Sequence, residues 1–220
     1  MYPIPANATR IRYLESTGTQ WIDTGLSLTH DTRCEIVLAA DWSPDTSFYL
    51  CGPSSSKGRF CFGRGFTSDS RQRNLYFGLG AQNYVSSITF ANLGTDVHSY
   101  RIDAAAKTAG VDGSTFSLTT AGDITGTPAI CLLCQIQNNR GFMKAKLYSA
   151  KYWQSGSLAF DGTPVRVGQT GYLFDRVSGQ LFGNAGTGSF VLGPDTFQHG
   201  VIPTRMMVAG VRKNDAITNP

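Results

Sequence analysis

Val97-His98-Ser99-Tyr100-Arg101-Ile102-Asp103 opens the stretch that decides the fold; it leads to Val111-Asp112-Gly113 and on through Thr115-Phe116-Ser117-Leu118. Asp-Gly between alternating apolar runs is a strong hairpin signal, because a tight type I′ turn needs positive φ at both central residues. The reading is a strand from Val97, a turn at Val111-Asp112-Gly113 and a return strand through Leu118. The Ala-rich run from Asp103 to Gly110 falls inside this hairpin and reads as strand or bulge. A second pair of strands follows, Ala129 to Ile136 and Lys144 to Trp153. As successive antiparallel strands these segments predict a β-sandwich, with the rest of the chain packed around them.

Outward from there the pattern repeats. Residues 33–42 alternate, with Cys34, Ile36, Leu38, Ala40 and Trp42 on one face and Arg33, Glu35, Val37, Ala39 and Asp41 on the other. Such alternation marks a half-buried strand. Short runs bounded by turn residues follow at Ser47–Cys51, Arg59–Gly63, Asn74–Leu79 and Val85–Phe90. Past the central block come Thr163–Val167, Gly171–Asp175, Gln180–Gly183 and Ser189–Leu192. Regularly spaced short strands are the signature of a sandwich or barrel. No segment shows a sustained helical period. The organisation expected is an extended arm (1–12), one sandwich (13–195) and a tail (196–220).

Composition agrees. The 220 residues suffice for one large all-β domain, with 25 Gly and only 15% charged residues. That suits short strands and tight turns better than helices. The net charge of +4 is confined to the ends. Arg10 and Arg12 carry the first twelve residues, and Arg205, Arg212 and Lys213 stand against Asp215 in the tail; fourteen basic and fourteen acidic residues remain between. A neutral body gives no case for nucleic-acid binding. The basic ends, with the apolar Met206-Met207, are candidates for attachment to a partner. No apolar run is long enough to span a bilayer, so no membrane is expected as a partner. The Met1-Tyr-Pro-Ile-Pro start has neither part of a signal peptide. The five Cys (34, 51, 61, 131 and 134) are then expected as reduced thiols, and whether Cys51 and Cys61 pair stays open.

Three stretches together resemble one family. They are Tyr13-Leu14-Glu15-Ser16-Thr17-Gly18-Thr19-Gln20-Trp21-Ile22-Asp23-Thr24-Gly25, the His98 strand with Val111-Asp112-Gly113, and Pro164–Gly168 with Gly171–Asp195. These are similar to the opening strands, central hairpin and closing segment of laminin-G-like, concanavalin A-like lectin domains. The variant is that of bacteriophage structural proteins and gut bacterial surface proteins. The resemblance implies a jelly-roll sandwich of two curved antiparallel sheets. It also implies a non-enzymatic virion module (capsid decoration, fibre or tail component), assembled in the host cytoplasm, with other virion proteins or further copies of itself as partners and host or mucosal glycans as ligands. An adhesion module of a bacterial surface protein is the alternative, and a glycoside hydrolase the third reading.

The residues bear unequally on these readings. Glycoside hydrolysis needs two flanking carboxylates. The chain has only Glu15 and Glu35, outside the Glu-x-Asp-x-x-Glu pattern of related glycanases, and Asp23 with Glu35 is the one pair worth weighing. No Ser stands in a nucleophile elbow to recruit His30, His98 or His199. Cys131-Leu-Leu-Cys134 lacks the turn a zinc knuckle needs, since residues three apart on a strand face opposite sides. No catalytic residue and no metal ligand is therefore assigned. The resemblance leaves calcium as the one candidate ion; the loop acids Asp41, Asp45, Asp69 and Asp123 form no dense cluster for it. For sugar, aromatic platforms beside planar polar groups point to Arg64, Arg71, Arg73, Tyr76, Asn83 and Tyr84, with Trp42, Tyr49, Phe62 and Trp153 as further aromatics.

Overall fold

The structure is a computed structural model that describes residues 1–42, 59–63, 74–80, 82–118, 124, 129–134 and 142–196. In chain order its elements are β1 (Thr9–Arg10), β2 (Leu14–Thr17), β3 (Ile22–Ser27), β4 (Arg33–Ala40), β5 (Arg59–Gly63), β6 (Asn74–Gly80), β7 (Gln82–Thr89) and α1 (Phe90–Leu93). Then come β8 (Val97–Asp103), β9 (Thr108–Val111), β10 (Phe116–Ser117), β11 (Ala129–Leu132), β12 (Lys144–Gln154), β13 (Ser157–Val167), β14 (Thr170–Asp175), β15 (Leu181–Phe182) and β16 (Val191–Leu192). The fold is an all-β antiparallel sandwich. Its largest sheet runs β10-β9-β8-β4-β12-β13-β14-β15, with β1 added beside β13, β2 beside β12 and β16 beside β2.

Two smaller sheets, β5-β6-β7 and β3-β11, contribute to the same core. Rings show how the layers meet. Phe62 of β5 stacks on Tyr100 of β8, with centroids 4.8 Å apart, and Phe77 of β6 tilts against Phe116 of β10. Strand alternation places these side chains. Cys34, Ile36, Leu38 and Ala40 of β4, with Trp42 beyond it, are all buried, as their alternation predicts. The opposite face of β4 keeps Arg33 exposed and Glu35 half-buried. Each large ring removed from water contributes about 1.5–3 kcal/mol, and aromatic pairing adds about 0.5–1.5 kcal/mol.

Several expectations are corrected. The strand from Val97 returns earlier than Asp112-Gly113. It turns at residues 104–107, where Lys107 has φ 51°, and pairs with β9. The Asp112-Gly113 turn, with φ of 49° and 83°, joins β9 to β10 instead. The Ala-rich run is thus the first turn of a three-strand meander. Ala129 and Lys144 do not open neighbouring strands either. β11 pairs with β3, whereas β12 lies between β4 on one side and β2 and β13 on the other.

The arm expected over 1–12 joins the sandwich from residue 9. Thr9 and Arg10 pair with Arg166 and Val165, and Ile11 is only 1% exposed. Among the described residues one short helix is present, α1, whose first turn Thr89 caps by accepting from the Asn92 N–H. Among the described residues no helix is long and apolar enough to cross a membrane.

Candidate functional site

Of the sugar surface expected from sequence, the structure describes Tyr76 and places Asn83 and Tyr84 on a strand. Tyr76 is 7% exposed and packs with Cys61, so it offers no platform. Alternation along β6, covered on both faces, explains that burial. Asn83 and Tyr84 are on β7, opposite Gly78 and Phe77. Arg64, Arg71, Arg73 and Tyr49 lie outside the described residues. Trp42 and Phe62 are core. Trp153 is half-buried, on the outer face of the large sheet, where the Arg33 guanidinium carbon stands 4.2 Å from its ring centre. Of the attachment set, Arg10 and Arg12 are exposed beside β1. Arg205, Met206, Met207, Arg212 and Lys213 lie outside the described residues.

Among the described residues, the one carboxylate pair weighed for catalysis does not converge. Asp23 is on β3 and accepts from the Gly25 N–H, while Glu35 is on β4 between Arg101 and Lys151. The two carboxylates thus belong to different sheets. His30 is exposed, and His199 lies outside the described residues. The neighbouring Asp31 is held below the usual carboxylate range, chiefly by the Thr29 hydroxyl and also by the Ser155 N–H.

His98 has both ring nitrogens engaged. Nδ1 is 2.5 Å from Asp112 Oδ2 and Nε2 is 2.9 Å from the Leu93 carbonyl. Burial pushes its pKa down, but these partners and the nearby Asp96 together raise it above the ordinary value. Asp112 also accepts from the Ser99 N–H, so the pair ties the Asp112-Gly113 turn to β8 and α1. With both nitrogens occupied, His98 is a structural clasp.

The cysteines are free and buried at 34, 61, 131 and 134. Burial pushes Cys61 up to about 12. The Cys131-Leu-Leu-Cys134 segment does bend, contrary to the expectation: Leu133 has φ 67°, and the Cys131 thiol donates to the Cys134 carbonyl at 2.9 Å. Cys134 is likewise raised, first by that contact with Cys131 and then by burial. Among the described residues no three His, Cys, Asp or Glu converge to hold a metal. Asp41 is exposed at the end of β4; Asp45, Asp69 and Asp123 lie outside the described residues.

What does converge is a cleft of about 500 Å³ at one end of the β2-β12-β4 trio. Register builds it. Lys146 faces Glu15 on one side and Ala39 on the other, and Lys144 faces Thr17. Directly opposed residues share a face, so β12 presents Lys144 and Lys146 on the outer side of the sheet. Asp41 continues the ladder, its N–H donating to the Lys144 carbonyl at 2.9 Å, and Thr95 closes the rim. Glu15, Lys144 and Lys146 make no ion pair among the described residues. The Lys146 ammonium lies 5.1 Å from the Tyr13 ring centre, and Tyr13 tilts against Tyr148 at 5.5 Å. The cleft is thus a small-walled slot, cationic on β12 and carboxylate-bearing on β2 and β4.

No single segment of the sequence marks this cleft. The Lys-Ala-Lys alternation is visible locally, but its pairing with Glu15 spans most of the chain.

No family model matches the chain, and no curated protein matches it. Among solved structures it is similar to a native heptameric SAP-like pentraxin from Limulus polyphemus. The TM-score is 0.49 at 10% identity, over 86% of this chain and 94% of that one.

Proposed function

We propose that the chain is a non-enzymatic structural module of a phage particle, which presents a lectin-type sandwich to saccharides and attaches through the segments at its two ends. The observation that carries this reading is how the sandwich is entered and left. The Thr196 N–H donates to the Arg10 carbonyl, the Arg12 N–H donates to the Pro194 carbonyl, and Ile11 bridges Asp195. Incoming and outgoing chain are therefore held together at one place, beside the exposed Arg10 and Arg12. A module joined to a larger assembly at one point keeps the rest of its surface free. The resemblance of the opening, hairpin and closing segments to phage-type laminin-G-like domains supports the setting. The alternating surface of the large sheet, with half-buried Tyr13, Tyr148 and Trp153, supports a saccharide-facing role.

The test is incorporation. Particles assembled with a chain cut after Thr196 should lack the module, while the isolated variant melts as the full chain does. Normal incorporation of the shortened chain would move the attachment elsewhere, and absence of the full chain from every particle would remove the reading.

A further inference from the structure

We propose that the β2-β4-β12 cleft binds a carboxylate-bearing saccharide, with Lys144 and Lys146 holding the anion and Glu15 accepting from ring hydroxyls. The inference rests on the saccharide-facing role proposed above and names its ligand class and site.

Three observations lead to it. The first is charge without a partner. Lys144 and Lys146 are two residues apart on one strand, so their side chains leave the same face with Cβ atoms about 7 Å apart. Neither pairs with a carboxylate among the described residues. Two neighbouring cations repel, and a bound anion between them relieves that repulsion while gaining charge-assisted hydrogen bonds.

The second is preorganisation. Gly18, at φ 107°, is placed so that a Cβ there would lie 3.4 Å from Lys144 Cγ; the lysine stem therefore rests against the turn after β2. The Lys146 ammonium is drawn to the Tyr13 ring. Stems already in place lose less freedom on binding.

The third is the mixed sign of the slot. Glu15 opposes a bare phosphate or a nucleic-acid backbone, because it adds negative charge beside it. It suits a ligand that brings hydroxyl donors along with its anion. A sugar acid has both, and its apolar ring face can lie on the small side chain of Ala39, which is opposite Lys146. About 500 Å³ falls within the range of small-ligand sites, roughly 300–1,000 Å³. Because lysine supplies the positive charge, binding needs no calcium.

The experiment is calorimetric titration of the full chain with a galacturonic acid trimer, with sialyllactose and with neutral lactose, each in the presence of EDTA. The acidic sugars should bind and lactose should not; the better of the two acidic arms separates a uronate from a sialic acid source. Affinity should fall steeply towards about 0.5 M NaCl, as for exposed charge pairs. Lys144→Met and Lys146→Met should each weaken binding about ten- to hundredfold. Lys151→Met, further along the same strand and face, should leave it unchanged, and circular dichroism should show all three variants folded. Lactose bound as well as the acidic sugars, and insensitive to both cleft variants, would overturn the inference and leave the saccharide-facing role standing. No binding of any saccharide would overturn both.

Discussion

His98 and Asp112 share one hydrogen bond, and pH pulls on its two ends in opposite senses. His98 is raised above its ordinary 6.5, so its contribution to stability is complete below that value and is lost as pH rises through its folded pKa. Asp112 is pushed up by burial but held below its ordinary 3.8 by the Ser99 N–H and by His98; its contribution is complete above 3.8 and is lost as pH falls through its folded pKa. Both are fully present between those two ordinary values. Asp112→Asn keeps an acceptor for the Ser99 N–H and tolerates the positive φ, so it isolates the charge. The Asp112 side chain is 51% exposed, so screening limits the effect to about 0.5–1 kcal/mol. Thermal melts should show the Asn variant less stable than the parent near pH 5, with the gap narrowing above pH 7. Tyr100 tests the opposite situation. Its hydroxyl is buried without a hydrogen-bond partner among the described residues, and burial raises its pKa. Leaving a buried hydroxyl unpaired costs about 1–3 kcal/mol. Tyr100→Phe keeps the ring stacked on Phe62 and should melt at or above the parent temperature.

At the scale of elements, the meander β8-β9-β10 shows what the chain discloses locally and what it hides. Asp112-Gly113 is a tight turn between strands, as its residue types require. Which strands it joins is a different question, decided by a second turn at residues 104–107 that carries no Gly before Gly110. The alternation in β4 is legible in the same local way, except that Ala39, assigned to the open face, is buried as well. The cleft is not, because it depends on Leu14–Thr17 meeting Lys144–Leu147, and long-range register leaves no mark on either segment alone. The burial of Tyr76 was hidden for a related reason: it alternates correctly, but β6 is covered on both faces. Gly110 is the position where the meander tolerates least. The loop after Gly113 folds back so closely that a Cβ at Gly110 would fall 2.0 Å from the Ser114 carbonyl oxygen, and Arg101 clamps that loop through the Ser114 carbonyl and the Thr115 hydroxyl. Gly110→Ala should cost about 1–3 kcal/mol, the usual penalty of overpacking, read as a lower midpoint in urea with an unchanged slope.

For the whole molecule, the question is which residues belong to the fold and which are carried by it. The charge asymmetry suggested two equivalent ends, but the leading segment is built in. Tyr2 donates its N–H to the Arg176 carbonyl at 2.6 Å and lies over Gly179. Thr9 and Arg10 extend the large sheet, and Ile11 joins the core with Leu14. The Arg166 guanidinium then grips Asp195 with two bonds of 2.7 Å, closing the sandwich behind β16. Each carboxylate oxygen takes one N–H, a geometry that fixes orientation more than it adds energy at an exposed site. The two ends should therefore respond differently to the same kind of cut. Removing residues 1–12 takes away Ile11 and uncovers the β13 edge; Ile11→Ala alone should cost about 2–5 kcal/mol through the cavity it leaves. Ending the chain after Thr196 removes none of the contacts among the described residues. Calorimetric melts should place the first truncation and Ile11→Ala well below the parent, and the second truncation level with it. Equal losses from both cuts would mean that the tail is as much a part of the sandwich as β1.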